Sequence, residues 1–454
     1  MALPKKLTRG KVWCFAIGQF GWSLLSALIS NYLVNFYVPD KSTGLAENPF
    51  FETGPVIFGI ISILALITGF GRVFDAVTDP WIASLSDRSK NPKGRRIPFM
   101  KAAAIPFGIF TILTFWSPVS GSSWINAVFL FVMLTGFYLF MTMYCTPFNA
   151  LIPELGTDQK TRMSISTTIS FTFIAGMAIA YTAPMLWGFM EGAGVEHYTA
   201  VRIIFSVLSV IGVACLFVPV FTINEKEYVT AQPAQSTAFK SLKATFRNND
   251  FRIFVASDII YFLGITMFQT AMLYFVTGLL KLDDGMSTLF FVLMTALSVL
   301  FYPLVSKLTP RFGKRKLILV AFCIFVVAFA YTACMGLMSI NPVIQGIILC
   351  VLAAPAMAIF GILPQAVVAD IAECDALDTG EERAGMFYAA RTFAMKMGQA
   401  LALIIVSSIV GFKWENGFGY RLIAIISGAV CLVGGAIFLK YNETKVYARI
   451  IGNK

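Results

Sequence analysis

Two aspartates one helical turn apart in an otherwise apolar stretch, Asp75 and Asp79 in the run GRVFDAVTDP over 71–80, carry the clearest chemical signal in the chain. A spacing of four stacks both carboxylates on one face of a helix. Two such groups cannot both stay ionised in a low-dielectric setting unless a cation lies beside them; without one, the pair retains a proton. The motif therefore reads as a cation or proton switch. Pro80 has no N–H for the carbonyl of Ala76, so it favours a kink and frees backbone oxygen that can help ligate a small cation. The competing reading is structural: Arg72, one turn before Asp75, neutralises it and the pair only joins helices. Two acids against one base leave a residual charge, which favours the switch.

Three more ionisable side chains fall inside apolar stretches, where each costs at least about 2.5 to 3.5 kcal/mol and needs a partner or a water-filled cavity. Lys396 lies deep within the stretch that holds RTFAMKMGQ over 391–399. An ammonium there can compete with a cation for the aspartates and couple occupancy to conformation; the alternative is snorkelling to a headgroup. Arg391, nearer one end, is a substrate contact, a snorkelling side chain or half of a salt bridge, with Thr392 beside it. Asp258, in RIFVASDIIY over 252–261, is a substrate or proton-linked carboxylate, or the partner of a neighbouring base.

The elements that must position these residues are membrane helices. Of 454 residues, 57% are hydrophobic and 13% charged, with a mean hydropathy of +0.77; a soluble domain carries roughly a quarter charged residues. A soluble globular enzyme is thereby excluded. One histidine, His197, and eight cysteines without metal-ligand spacing leave neither a zinc site nor a disulfide framework. A hydrocarbon core of about 30 Å needs about 20 apolar residues. Twelve such spans are expected near 12–37, 55–85, 98–117, 124–152, 164–189, 201–222, 252–280, 287–306, 317–338, 343–371, 385–412 and 420–440. The first follows Lys5, Lys6, Arg9 and Lys11 and is too long for a cleaved signal. Alternate loops collect most of the basic residues, while the others hold only Lys41, Arg202, Lys281, Lys413 and Arg421. This bias places both termini in the cytoplasm and accounts for the net charge of +11 without a nucleic-acid partner.

The longest polar segment, 224–250, separates residues 1–223 from 251–454 as two six-helix bundles joined by a cytoplasmic linker. The halves repeat: DRSKNPKGRR over 87–96 and TPRFGKRK over 309–316 occupy equivalent loops, with Gly94 and Gly313 219 residues apart. An internal duplication of six-helix units is the usual build of a secondary transporter with a central site near the midplane. Asp87, Arg88, Arg95 and Arg96 are expected to gate it by clamping helix ends through charge-assisted hydrogen bonds. Asp370, Glu373, Asp375, Asp378, Glu381 and Glu382 are candidate acidic partners.

The chain resembles the glycoside, pentoside and hexuronide:cation symporters of the major facilitator superfamily, the melibiose-permease group. The resemblance runs essentially end to end. It rests on RVFDAVTDP over 72–80, TPFNALIP over 146–153, and the stretch from Val368 and Asp370 through Gly380 to Lys396. It implies a major facilitator fold with Asp75 and Asp79 as cation-binding aspartates (sodium ligands if sodium is the coupling ion), Thr142 lining the same site, and Lys396 adjoining it. Thr78 stands where the melibiose permeases have an asparagine, which leaves sodium against proton open. The sugar positions depart further: Trp22 and Ser23 replace a Lys-Asp pair, Cys145 and Asn149 an aspartate and a tryptophan, Ser170 an arginine, and Gly361 a tryptophan. Trp22 can supply another stacking face, and Gln19 or Asn149 can bond hydroxyls, though such residues also serve as packing glue. With sugar-site aspartates gone, Arg391 and Lys396 suggest an acidic substrate such as a hexuronide.

Together these readings give an all-α, twelve-helix symporter of the inner or plasma membrane, coupled to Na+ or H+ without other cofactors. Asp75, Asp79, Thr78 and Thr142 bind the cation, and Lys396 and Arg72 couple it. Gln19, Trp22, Ser23, Cys145, Asn149, Asp258, Arg391 and Thr392 are candidate substrate residues. The expected partners are a small-molecule substrate and the lipid bilayer, with the protein a monomer. A lysolipid or other amphipathic solute is the alternative cargo, and a non-transporting receptor or scaffold the alternative role. A membrane-embedded enzyme would need a nucleophile with a base, and His197 lies apart from any Ser or Cys cluster.

Overall fold

The computed structural model describes residues 7–39, 50–51, 55–57, 61–87, 89, 91–92, 94–155, 159–228, 245–379, 384–412, 414 and 417–452. The chain is helical almost throughout, because a lipid-embedded backbone must satisfy its hydrogen bonds internally. Helix α1 (Arg9–Tyr37) starts at Thr8, whose hydroxyl caps the Lys11 N–H. A short antiparallel hairpin, β1 (Pro55–Ile57) with β2 (Ile61–Ser62), precedes α2 (Ile63–Asp87). Then follow α3 (Ile97–Leu113), α4 (Trp124–Leu155), α5 (Gln159–Tyr181), α6 (Ala183–Gly192), α7 (His197–Thr222) and the single turn α8 (Glu225–Tyr228). The remainder comprises α9 (Asn249–Tyr274), extended by a π-helical turn at Phe275–Leu279, α10 (Asp284–Phe312), α11 (Lys314–Cys334), α12 (Pro342–Thr379), α13 (Ala384–Gly411), α14 (Phe418–Phe438) and α15 (Glu443–Gly452).

Ten spans among the described residues are long and apolar enough to cross a bilayer, with α5 and α6 making one of them from Thr167 to Gly192. Helix α3 is a shorter apolar helix. Helix α2 has 25 residues but carries Arg72, Asp75 and Asp79 in its interior. These account for the twelve expected spans. The two boundaries that bear on the candidate site and the gating loops differ from expectation by eight residues each. The second span begins at Ile63, not near 55: Gly54-Pro55 and the β-branched residues after it favour extended backbone, and the Ser62 hydroxyl caps the Ala65 N–H at 3.0 Å. The tenth runs on to Thr379, two turns past the apolar stretch.

The helices form two compact units. One holds α1, α2 from Phe70 onward, and α3 to α8; in it α1 packs on α5 and α7, and α3 on α4 and α7. The other holds α9 to α15 together with the hairpin and the start of α2 through Gly69. There α9 packs on α13 and α14, and α11 on α12 and α14. First against fifth and sixth, third against fourth and sixth: each unit repeats the same pairing, the packing counterpart of the repeated loops.

Small residues set the closest approaches. A Cβ on Gly21 of α1 would lie 2.6 Å from the Gly212 carbonyl oxygen of α7, and one on Gly398 of α13 would lie 2.5 Å from the Ile259 carbonyl oxygen of α9. Because the obstacle is backbone, neither neighbour can turn aside. Gly21→Ala and Gly398→Ala are each expected to destabilise by about 1–3 kcal/mol, read as a lower melting midpoint of the detergent-purified protein. Gly188→Ala, whose Cβ meets nothing within 4 Å, should leave the midpoint unchanged or raised.

Candidate functional site

Asp75 and Asp79 face two hydroxyls of α4 that are also one turn apart. Thr142 Oγ1 donates to Asp75 Oδ1 at 2.6 Å, and Thr146 Oγ1 donates to Asp79 Oδ1 at 3.1 Å. Equal spacing on both helices makes a two-rung ladder. Asp75 is fully buried and Asp79 partly exposed, so the pair runs from a dry end to an open one. Each hydroxyl donates its single proton and keeps lone pairs for a cation. Thr78 Oγ1 points its proton back at its own helix, 2.9 Å from the Phe74 carbonyl and 3.1 Å from that of Asp75. Two carboxylates and three hydroxyls are a hard, all-oxygen donor set suited to a small s-block cation or a proton. Thr146 is a member that sequence reasoning passed over; its place one turn after Thr142 was the available signal.

Arg72 does not serve as the neutralising partner of Asp75. Its Nη2 donates to Ser30 Oγ at 2.6 Å, its guanidinium carbon lies 5.2 Å from the Tyr138 ring centre, and its buried Nε has no hydrogen-bond partner. Lys396 is half-buried on α13 in the other unit.

The substrate candidates divide between the units. On α1, Gln19 is buried, Trp22 is half-buried with its ring centre 6.0 Å from that of Phe173, and its indole N–H has no acceptor. Leaving such a donor dry costs about 1–3 kcal/mol. Ser23 is buried and donates to the Phe20 carbonyl at 3.0 Å, so its hydroxyl serves its own helix. On α4, Cys145 is half-buried and Asn149 exposed. In the second unit, Arg391 grips Asp258 with two bonds, Nε to Oδ2 at 2.8 Å and Nη2 to Oδ1 at 3.3 Å. The rings of Phe254 and Phe262 each lie 5.8 Å from its guanidinium carbon. Arg391 is therefore balanced, which corrects the expectation of an unopposed cation there. Thr392 is exposed and donates to the Tyr388 carbonyl at 3.0 Å.

The expected gating loops form two matching clamps. Glu225 accepts the backbone N–H groups of Arg95, Arg96 and Ile97 at 2.8, 2.9 and 3.1 Å, capping α3, while the Arg95 and Arg96 side chains hold Glu154 at 3.2 and 2.7 Å. In the second unit Glu443 accepts the Lys314 and Arg315 N–H groups at 2.7 and 2.9 Å, capping α11, and Lys314 pairs with Asp370. A carboxylate suits the unsatisfied N–H groups and positive end of a helix. Both turns need glycine: Gly94 has φ +122 and Gly313 φ +81, and a Cβ would lie 2.4 Å from Glu225 Oε2 or 2.8 Å from Glu443 Oε2. Glu154, Glu225 and Glu443 were not singled out from sequence, since nothing local shows which carboxylate returns to a helix end. The Asp87 side chain and all of Arg88 lie outside the described residues. Glu225→Ala and Glu443→Ala are each expected to destabilise by about 1–2 kcal/mol, with Gln at either position milder. Unchanged thermal midpoints in both Ala variants would refute the capping role.

A family model described as MFS/sugar transport protein matches residues 14–438. The chain is 25% identical over 424 residues to the uncharacterized symporter YnaJ of Bacillus subtilis, covering 92% of this chain and 84% of that protein. It is 25% identical over 317 residues to the isoprimeverose transporter of Lactiplantibacillus pentosus, covering 69% and 62% respectively. Against the glucuronide carrier protein homolog of Escherichia coli the identity is 22% over 362 residues, 75% of this chain and 74% of that one. Among solved structures, the nucleoside transporter NupG superimposes with a TM-score of 0.65 at 13% identity, covering 95% of this chain and 99% of that one. A bacterial homolog of the human lysosomal transporter Spinster gives 0.65 at 13%, covering 98% and 97%; at such identities these two show the fold alone. With ten membrane-length apolar spans among the described residues, the same helix pairing in both units and a family match over most of its length, the chain is a multi-pass membrane transporter and not an enzyme, and it belongs to the MFS/sugar transport protein family of the major facilitator superfamily.

Proposed function

We propose that this protein is a cation-coupled symporter that moves a glycoside, pentoside or hexuronide by alternating access, driven by Na+ or H+. The observation that carries the reading is the ladder of Asp75 and Asp79 on Thr142 and Thr146. A fully buried carboxylate with a second one a turn away favours a bound cation or proton electrostatically. For that ion to drive transport it must bind one conformation more tightly than the other, since equal affinity shifts no equilibrium. The names of the relatives support the cargo class: a symporter, an isoprimeverose transporter and a glucuronide carrier homolog.

The basic bias of alternate loops supports an inner or plasma membrane location with both termini cytoplasmic, and one chain carries a full set of spans, enough for a working monomer. Lys396 is proposed to respond to cation occupancy, as its depth in an apolar span implies.

The test is uptake into proteoliposomes under an imposed inward sodium gradient or an imposed pH gradient. Wild-type protein should concentrate a labelled glycoside, pentoside or uronide under one of the two. Asp75→Asn and Asp79→Asn should each reduce gradient-driven uptake at least about 10-fold while substrate binding, followed by thermal shift, survives. Thr146→Val should raise the ion concentration needed for half-maximal uptake. Undiminished accumulation in both Asn variants would remove the cation assignment.

A further inference from the structure

We infer that Arg72 is the receptor for an acidic group on the substrate, and that the substrate is a uronic acid carried as a glycoside, with its acid at Arg72 and its aglycone against Trp22. This rests on the symport reading above and narrows it.

Of the three buried arginines among the described residues, Arg96 is held by Glu154 and Arg391 has its fork filled by Asp258 through two bonds, while Lys396 has a partner of its own. Arg72 differs. Only 8% exposed, it faces a hydroxyl and an aromatic ring where a buried arginine ordinarily meets a carboxylate. A guanidinium has five N–H donors, and here Ser30 takes one while the Nε donor has no partner. The setting is built to hold it. Tyr138 sits so close to α2 that a Cβ on Gly71 would lie 2.5 Å from its ring, and the ring backs the guanidinium. A guanidinium held against a ring in this way keeps its planar fork ready for bidentate bonds to a carboxylate.

Helix α1 extends the site. Over residues 21–34 every position is buried except Trp22, Ser26 and Ser30, which are half-buried and four residues apart. That spacing is one open stripe on one helix face. Ser30 lies at its Arg72 end, and Trp22, with its unpartnered indole N–H, lies at the other. Eight residues of helix separate the two ends by about 12 Å, longer than one sugar ring. A ring acid at Arg72 therefore leaves a substituent to reach the indole face, where stacking is favoured, and places a glycosidic or hydroxyl oxygen within reach of the indole N–H.

The position of Arg72 also gives a coupling mechanism. It stands one turn before Asp75 on α2, about 4.5 Å along the axis. An anion that offsets the Arg72 charge removes a positive charge one turn from Asp75, lowers its repulsion of a cation at the aspartates and so strengthens cation binding there. By linkage the cation strengthens the anion's binding by the same factor.

The experiment measures binding of phenyl β-D-glucuronide and phenyl β-D-glucoside to the purified full-length protein, with and without sodium and at two pH values. The glucuronide should bind wild type about 10- to 100-fold more tightly than the glucoside, the contribution of a charge-assisted pair. Arg72→Gln should abolish that preference, with Arg72→Lys intermediate, and the coupling ion should tighten glucuronide binding more than glucoside binding. Trp22→Ala should weaken the phenyl glucuronide more than free glucuronate. Equal wild-type affinities, or tighter glucoside binding, overturn the inference and leave sugar symport standing; this comparison needs no variant to fold. A preference that survives in Arg72→Gln also overturns it. Failure of glucuronides, glucosides and pentosides alike to bind or be transported removes the symport reading itself.

Discussion

Two carboxylates one turn apart on a membrane helix, Asp75 buried and Asp79 partly exposed, must be answered by something, and α4 answers with hydroxyls. Thr142 and Thr146 repeat the one-turn spacing of Asp75 and Asp79, so each carboxylate meets its own donor. Hydroxyls stabilise a carboxylate without cancelling its charge. A lysine or arginine in either place would neutralise the acid and close it to a cation. The surroundings follow from this constraint: α2 carries more interior charge than an apolar span tolerates unaided, Pro80 interrupts its ladder, and Gly71 lets the Tyr138 ring come close enough to back Arg72.

The two intramembrane arginines show how context assigns different roles to one side-chain type. Arg391 and Asp258 satisfy each other between two phenylalanine rings, a neutral unit that joins α9 to α13. Such pairs contribute little net stability, yet removing one partner strands the other charge. Arg72 has a hydroxyl, a ring and spare donors. The first guanidinium has its fork filled by a carboxylate, and the second keeps an Nε donor without a partner.

The duplicated clamps are a second fixed point, and each stays within its own unit. In both, a carboxylate from a later segment caps a helix whose preceding turn holds a positive-φ glycine, and the turn admits that carboxylate only because glycine has no side chain. The accompanying ion pair has drifted between repeats, two arginines on Glu154 in one and a lysine on Asp370 in the other. The backbone cap has not. Any basic residue can supply a charge, but the fit of a carboxylate against successive N–H groups admits few substitutes.

Sequence alone determined the membrane class, the number of spans, the repeated loops and the placing of Asp75 and Asp79 one turn apart on a single helix, because hydrophobic length, charge and helical spacing are local properties. The second span was misplaced at its start because Gly54-Pro55 and the β-branched residues after it are as apolar as a helix, and only the Ser62 cap marks the boundary. Which oxygen meets which carboxylate, and which carboxylate meets which base, was decided by tertiary packing. The ladder pairs residues 67 apart, Asp258 meets Arg391 across 133, and Glu225 returns to Arg96 across 129. A chain written in one dimension carries the chemistry of each partner, but the distances that turn two partners into a site exist only after the helices have packed.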